Sequence, residues 1–264
     1  MRRTNIEYMA TYKKRGYKPK TKAEKADAIE DQSATAEVFN TLDEGASRTE
    51  EWVAKNQKYI FVIVGLAAVV ILGFLGYNKY IQEPKEGNAM NDMFAAQQYF
   101  DQAITNTVNK DSLFTLALNG GEGKYGMLDI VSEYGGTNAG NLANYYAGMA
   151  YLNMKDYQNA ITYLSDFSSD DESLGPIATG GIGDAFVQLN QKEDALDYYV
   201  KAAGMKTNSY TTPMYLYKAG TIALELGQNA KALQYFNRIK DDFASSIEAT
   251  NVDVFIGKAE AASN

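Results

Sequence analysis

Two short runs carry side chains that could do chemistry. Asp170-Asp171-Glu172 sets three carboxylates side by side, the raw material for general acid–base pairing. Gly120-Gly121-Glu122-Gly123-Lys124 joins glycines to a lysine, as a phosphate-cradling loop does. Neither is supported by its surroundings. The carboxylate run connects two helical patterns and reads as a solvated loop. The glycine run lacks the full phosphate-loop spacing, and Tyr125 stands where a Ser or Thr would follow the lysine. The chain has no His and no Cys, which removes imidazole bases, thiol nucleophiles, the usual zinc ligands and any disulfide framework. No catalytic, cofactor-binding or metal-ligating residue is assigned, no cofactor is expected, and the chain is read as not an enzyme.

A third group is basic. Residues 1–25 hold nine basic and two acidic residues, net +7, whereas residues 26–58 hold three and eight, net −5. Lys13, Lys14, Arg15, Lys18 and Lys20, interrupted by Gly16 and Pro19 with little apolar content, predict a disordered segment that can contact ribosomal RNA or anionic lipid headgroups. Setting membrane topology is the simpler role for the same charges.

The element that must position everything else is an uncharged run of 19 residues, Tyr59 to Tyr77, nearly all aliphatic. At about 1.5 Å per residue it covers a hydrocarbon core of about 30 Å. Lys58 and Lys79 bracket it, and Trp52, Tyr59, Tyr77 and Tyr80 fall where aromatic belts form. The 58 preceding residues and the lack of a small-residue cleavage pattern after the run predict a retained signal anchor over residues 59–80. Residues 1–58 carry 12 basic side chains, which predicts a cytoplasmic N-terminal tail, with the C-terminal domain on the far side of the membrane. Ser47-x-x-Glu50 fits a capping box for a helix beginning near Arg48, and a short helix is expected around residues 36–42. Glu83-Pro84 should end the long helix.

Residues 83–264 show helical periodicity with small residues recurring at about 34-residue spacing, the pattern of tetratricopeptide repeats. Gly148, Tyr151 and Ala160 recur as Gly183, Phe186 and Ala195, then as Gly220, Ala223 and Ala232. The spacings are 35 and 37 for both the glycines and the final alanines. The glycine and the later alanine are expected to face each other where two helices cross, with Leu164, Tyr199 and Phe236 filling the space between hairpins. The fold class is all-α: one N-terminal transmembrane helix, then a tetratricopeptide-type α-solenoid. Its parts are a diverged hairpin over 86–136 with an insertion around 109–124, repeats over 141–174, 176–209 and 213–246, and a capping helix over 247–261.

With MATYKKRGYKPKTK, AEVFNTLDEGASRTEEWVAKNQKYIF and LANYYAGMAYLNMKDYQNAITYL, the chain resembles the YfgM-like ancillary subunits of the SecYEG translocon in their Bacteroidota form. The resemblance implies an inner-membrane protein beside the SecYEG translocon, working with a membrane-anchored periplasmic peptidyl-prolyl isomerase on secreted client polypeptides. A cell-envelope scaffold of the outer-membrane assembly or division-coordination type is the alternative. In this fold the first helix of each hairpin lines the groove, which places Tyr145, Met149, Asp184, Gln188, Met214, Tyr217, Thr221 and Glu225 on the concave face. With Tyr, Met and Asp there instead of Lys and Arg, the groove should disfavour an acidic peptide terminus and take extended, apolar, uncharged-to-basic segments. A core role for Tyr145 and Met149 is the competing reading.

Overall fold

The computed structural model describes residues 34–263, with side chains described from residue 51 onward. The tail residues Lys13, Lys14, Arg15, Lys18 and Lys20 lie outside the described residues. The chain divides into two units, residues 1–74 and residues 75–264.

Among the described residues of the first unit the backbone is one helix, α1, over Ala34–Tyr77. The separate helices expected around 36–42 and from Arg48 are parts of it. No proline interrupts residues 34–77, so helix propagation, which adds one bond per residue fixed, carries through the Ser47 cap signal. Large apolar side chains from Phe61 to Phe74 all stand exposed. A helix in a soluble core would bury one stripe of them; this one is long and apolar enough to cross a membrane.

In the second unit, Pro84 does not end a helix. Residues Asn78–Gln82 form a π-turn in which the Glu83 amide donates to the Asn78 carbonyl, and α2 runs over Glu83–Thr105 with Pro84 in its first turn. First-turn amides have no partner within their own helix, so the missing proline N–H costs little there. The wider π-turn also relieves the ring's clash with the preceding turn.

Three helices then build the first layer: α2, α3 (Lys110–Asn119) and α4 (Met127–Tyr134). The 109–124 stretch, expected as an insertion within a hairpin, therefore contributes a helix of its own. Phe114, Ala117 and Leu118 form its buried stripe, and Phe114 meets Phe100 edge-on at 5.5 Å. Polar Asp111, Ser112 and Thr115 between them mask that stripe in the sequence. The glycine run after α3 is a tight reversal, with Glu122 and Gly123 at positive φ. At Gly120 (φ +78°) an added Cβ would strike the Lys124 carbonyl and come within 2.8 Å of the Gly126 amide. Its backbone groups thus face each other instead of a ligand.

Three helical hairpins follow. They pair α5 (Asn138–Asn153) with α6 (Tyr157–Asp166), α7 (Leu174–Gln188) with α8 (Lys192–Met205), and α9 (Thr211–Glu225) with α10 (Asn229–Asp242). Each glycine is buried in its crossing, but its nearest neighbour is not the alanine. A Cβ on Gly148 would lie 2.6 Å from Leu164, on Gly183 2.7 Å from Tyr199, and on Gly220 2.6 Å from Phe236. The side chain sixteen residues downstream fills the glycine's space in all three hairpins. Ala160, Ala195 and Ala232 are fully buried beside these contacts. Aromatic pairs repeat in the first two hairpins, Tyr151 on Tyr163 and Phe186 on Tyr198. The stack ends with a 3-10 turn over Glu248–Asn251 and α11 over Val252–Ala261, whose Phe255 covers Phe236 and Tyr217. That apolar cover is what the last repeat of a solenoid requires.

Candidate interaction surface

The groove residues named from the sequence fall into two sets. Tyr145, Met149, Met214 and Tyr217 are half-buried and packed. Tyr145 lies 5.3 Å from Phe167 and 5.7 Å from Tyr146, Met149 packs on the core between the first and second hairpins, and Tyr217 meets Phe236 and Phe255 edge-on. Burial pushes the Tyr145 phenol above its ordinary value. Aromatic groups held by two neighbouring elements contribute to folding first, whatever else they touch.

The polar positions are mostly engaged with partners in the same domain. Asp184 accepts from Lys218 at 2.6 and 2.9 Å and from the Tyr199 hydroxyl at 2.6 Å. The Lys218 ammonium also lies 5.5 Å from the centre of the Tyr199 ring and 5.6 Å from that of Tyr215. Burial and the Asp184 charge raise both phenols well above the usual range, so each stays protonated and able to donate. Glu225 pairs with Lys192 at 3.0 Å, and the Thr221 hydroxyl donates to the Tyr217 carbonyl. Gln188 is exposed and accepts from Tyr157 at 3.4 Å. Asp184 and Glu225 therefore act as ion-pair partners between successive hairpins, not as free anions. The sequence pointed to these carboxylates but not to their lysines, although Asp184 and Lys218 stand 34 residues apart, one repeat period.

The acidic run also has a structural task. The Asp171 carboxylate accepts from the Ser173 and Leu174 amides at 2.8 Å each, capping α7, and these bonds hold its pKa below the usual carboxylate range. Asn141 clasps the same loop: its amide donates to the Ser168 carbonyl at 2.7 Å and its oxygen accepts from the Ser168 amide at 3.0 Å. Asp171→Asn is expected to lower the melting temperature at neutral pH, with the difference from wild type shrinking in acid. A depressed folded pKa gives stability that is present above the unfolded pKa and lost as pH falls through the folded one. Melting both proteins across a series from neutral to strongly acidic pH checks this; a constant difference would refute it.

Asn144 is 7 % exposed on the α5 face that carries Gly148 and Tyr151, and its side-chain oxygen has no partner among the described residues. The third hairpin has Leu216, 2 % exposed, at the matching place four residues before its glycine. Asn144→Leu is therefore expected to raise stability by about 1–3 kcal/mol, the cost of a buried unsatisfied acceptor. Denaturant melts would show this as a higher midpoint with unchanged slope.

Between α6 and α8 lies a cleft of about 520 Å³, which sequence periodicity did not single out. Leu164 and Ile182 form its floor, Phe167 and Tyr198 its walls, and Asp170 and Lys201 its two charges. The signal for it was present: the α6–α7 connection carries four carboxylates in residues 166–172, and no Lys or Arg occurs between Lys155 and Lys192.

Residues 145–210 and 181–247 match the tetratricopeptide repeat family, in overlapping windows that together span the last helices of all three hairpins. A search of curated proteins gives no match. Residues 145–247 of the second unit thus carry tetratricopeptide repeats, and the described residues are helical throughout their regular structure, with one apolar, membrane-length helix among them. Domains of this type mediate protein–protein interaction and are typically non-enzymatic scaffolds.

Proposed function

We propose that this protein is a single-pass inner-membrane accessory of the Sec translocon. Its repeat domain engages secreted polypeptides on the periplasmic side, in company with a membrane-anchored peptidyl-prolyl isomerase. The observation that supports the reading most is the joining of a membrane-length helix with exposed apolar side chains to a tetratricopeptide array in one chain. Such a design keeps an interaction domain at the membrane surface, where an emerging polypeptide passes at high local concentration. The YfgM-like resemblance supplies the translocon, and the basic tail supplies the orientation and a contact for ribosome or anionic lipid.

Protease added to spheroplasts is expected to digest the repeats and spare residues 1–58; protected repeats would refute the topology. After mild detergent extraction the protein is expected to migrate with translocon subunits. Migration with outer-membrane assembly or division machinery would instead establish the envelope-scaffold alternative.

A further inference from the structure

We propose that the cleft between α6 and α8 holds a large apolar side chain of an extended, positively charged polypeptide segment, so that clients dock there and not in the concave groove. This rests on the client-binding reading above and gives it a place. Tyr145, Met149 and Tyr217 of the concave groove are half-buried against neighbouring elements, and its carboxylates Asp184 and Glu225 are paired with lysines. The cleft keeps open volume beside its packed rings, and its Asp170 is exposed. Its volume lies in the range of ligand sites; Leu164 and Ile182 give it an apolar floor, and Ser168, Ser169, Asp170, Thr179 and Lys201 make much of the remaining lining polar.

Leu164 and Ile182 at the floor are 2 % and 3 % exposed, so a side chain seated on them loses its water contact. Met205 stands at the mouth, 38 % exposed, with the pliable thioether that suits varied apolar partners. The loop wall is pre-formed: Asn141 holds Ser168 through both backbone groups, and Asp171 ties the next turn to α7. Little conformational freedom remains to be lost on binding.

Charge selects the occupant. Asp166, Asp170, Asp171 and Glu172 are all exposed on the loop side, while Lys201 is the basic residue lining the cleft and leans over the Tyr198 ring at 5.6 Å. Asp170 and Lys201 balance within the lining, and the exposed Asp166, Asp171 and Glu172 beside it outnumber Lys206, so the surroundings are net negative; a lysine or arginine flanking the apolar anchor is favoured and a glutamate there is repelled.

The test uses the full-length protein in detergent micelles and a fluorescent, unstructured glycine–serine peptide carrying one Phe between two Lys. Two comparison peptides replace the Phe with Ser, or both Lys with Glu. Binding of the first peptide, at least tenfold weaker for each comparison peptide, is expected. Ser168→Trp, which would fill the mouth from an exposed loop position, and Asp170→Lys are each expected to weaken it by a similar factor. Melting temperatures taken alongside confirm that both variants fold. Gln188→Trp on the concave face is the competing arm. Loss of binding there with none in the cleft variants would overturn the proposal, as would equal binding of the Glu peptide or no binding at all. Co-migration with the translocon would stand or fall independently of these results.

Discussion

Phe236→Ala is expected to destabilise the repeat domain by about 3–5 kcal/mol, the range for removing a buried aromatic ring. The ring is fully buried and fills the space over Gly220. It meets Tyr217 edge-on at 6.1 Å and lies 5.4 Å from Phe255 of the capping helix. One substitution thus opens a cavity inside the third hairpin and removes one of the two rings on which Phe255 of the cap packs. Because each layer of such an array rests on its neighbours, the loss should appear as early melting of α9–α11 ahead of the rest. Hydrogen exchange resolves it: amides of 211–261 should exchange much faster, those of 138–188 less so. A drop in stability under about 1 kcal/mol would mean that the site collapses around the missing ring, contrary to the packing described.

Gly180→Val should cost about 1–3 kcal/mol or more through overpacking. Gly180 is buried in α7, and even a single added carbon there would overlap the ring of Tyr215, which is 3 % exposed. That ring cannot simply swing away: it is stacked near Tyr199 at 6.2 Å and covered by the Lys218 ammonium. The decisive measurement is a double-mutant cycle. If Tyr215→Ala removes most of the penalty of Gly180→Val, the two share one space; purely additive effects would place the cost elsewhere.

Much of the fold was legible because solenoid repeats make local demands. Gly148, Gly183 and Gly220 were recognisable since each must admit a bulky residue, and any other side chain would hold the helices apart. Which residue they admit was not legible. The alanine and the residue four places beyond it lie on the same face one turn apart, and only three-dimensional packing separates Ala160 from Leu164. Helix α3 escaped because its buried stripe is short and follows the polar Lys110, Asp111 and Ser112 that open the helix, and Gly180 because a lone small residue carries no period. Pro84 misled for a different reason: proline breaks a helix interior but is at home in a first turn, and the π-turn that makes Pro84 a first-turn residue leaves no mark in the sequence.

For the interaction surface, side-chain type and face were readable but occupancy was not. Placing Tyr217 on a helix face says nothing of Phe255 arriving from the capping helix to cover it. The pairing of Asp184 with Lys218 likewise joins two helices whose contact appears only once the hairpins stack.

The start of α2 is fastened in a way that matters under load. Glu86 grips the first turn of α5 with both carboxylate oxygens, accepting from the Asn138 amide at 2.7 Å and the Ala139 amide at 2.8 Å, while Gln82 donates to the Gly136 carbonyl at 2.7 Å. A pull on the chain at residue 82 therefore does not peel α2 away one contact at a time. It strains these three bonds together, and tension passes at once into the helix that opens the first repeat.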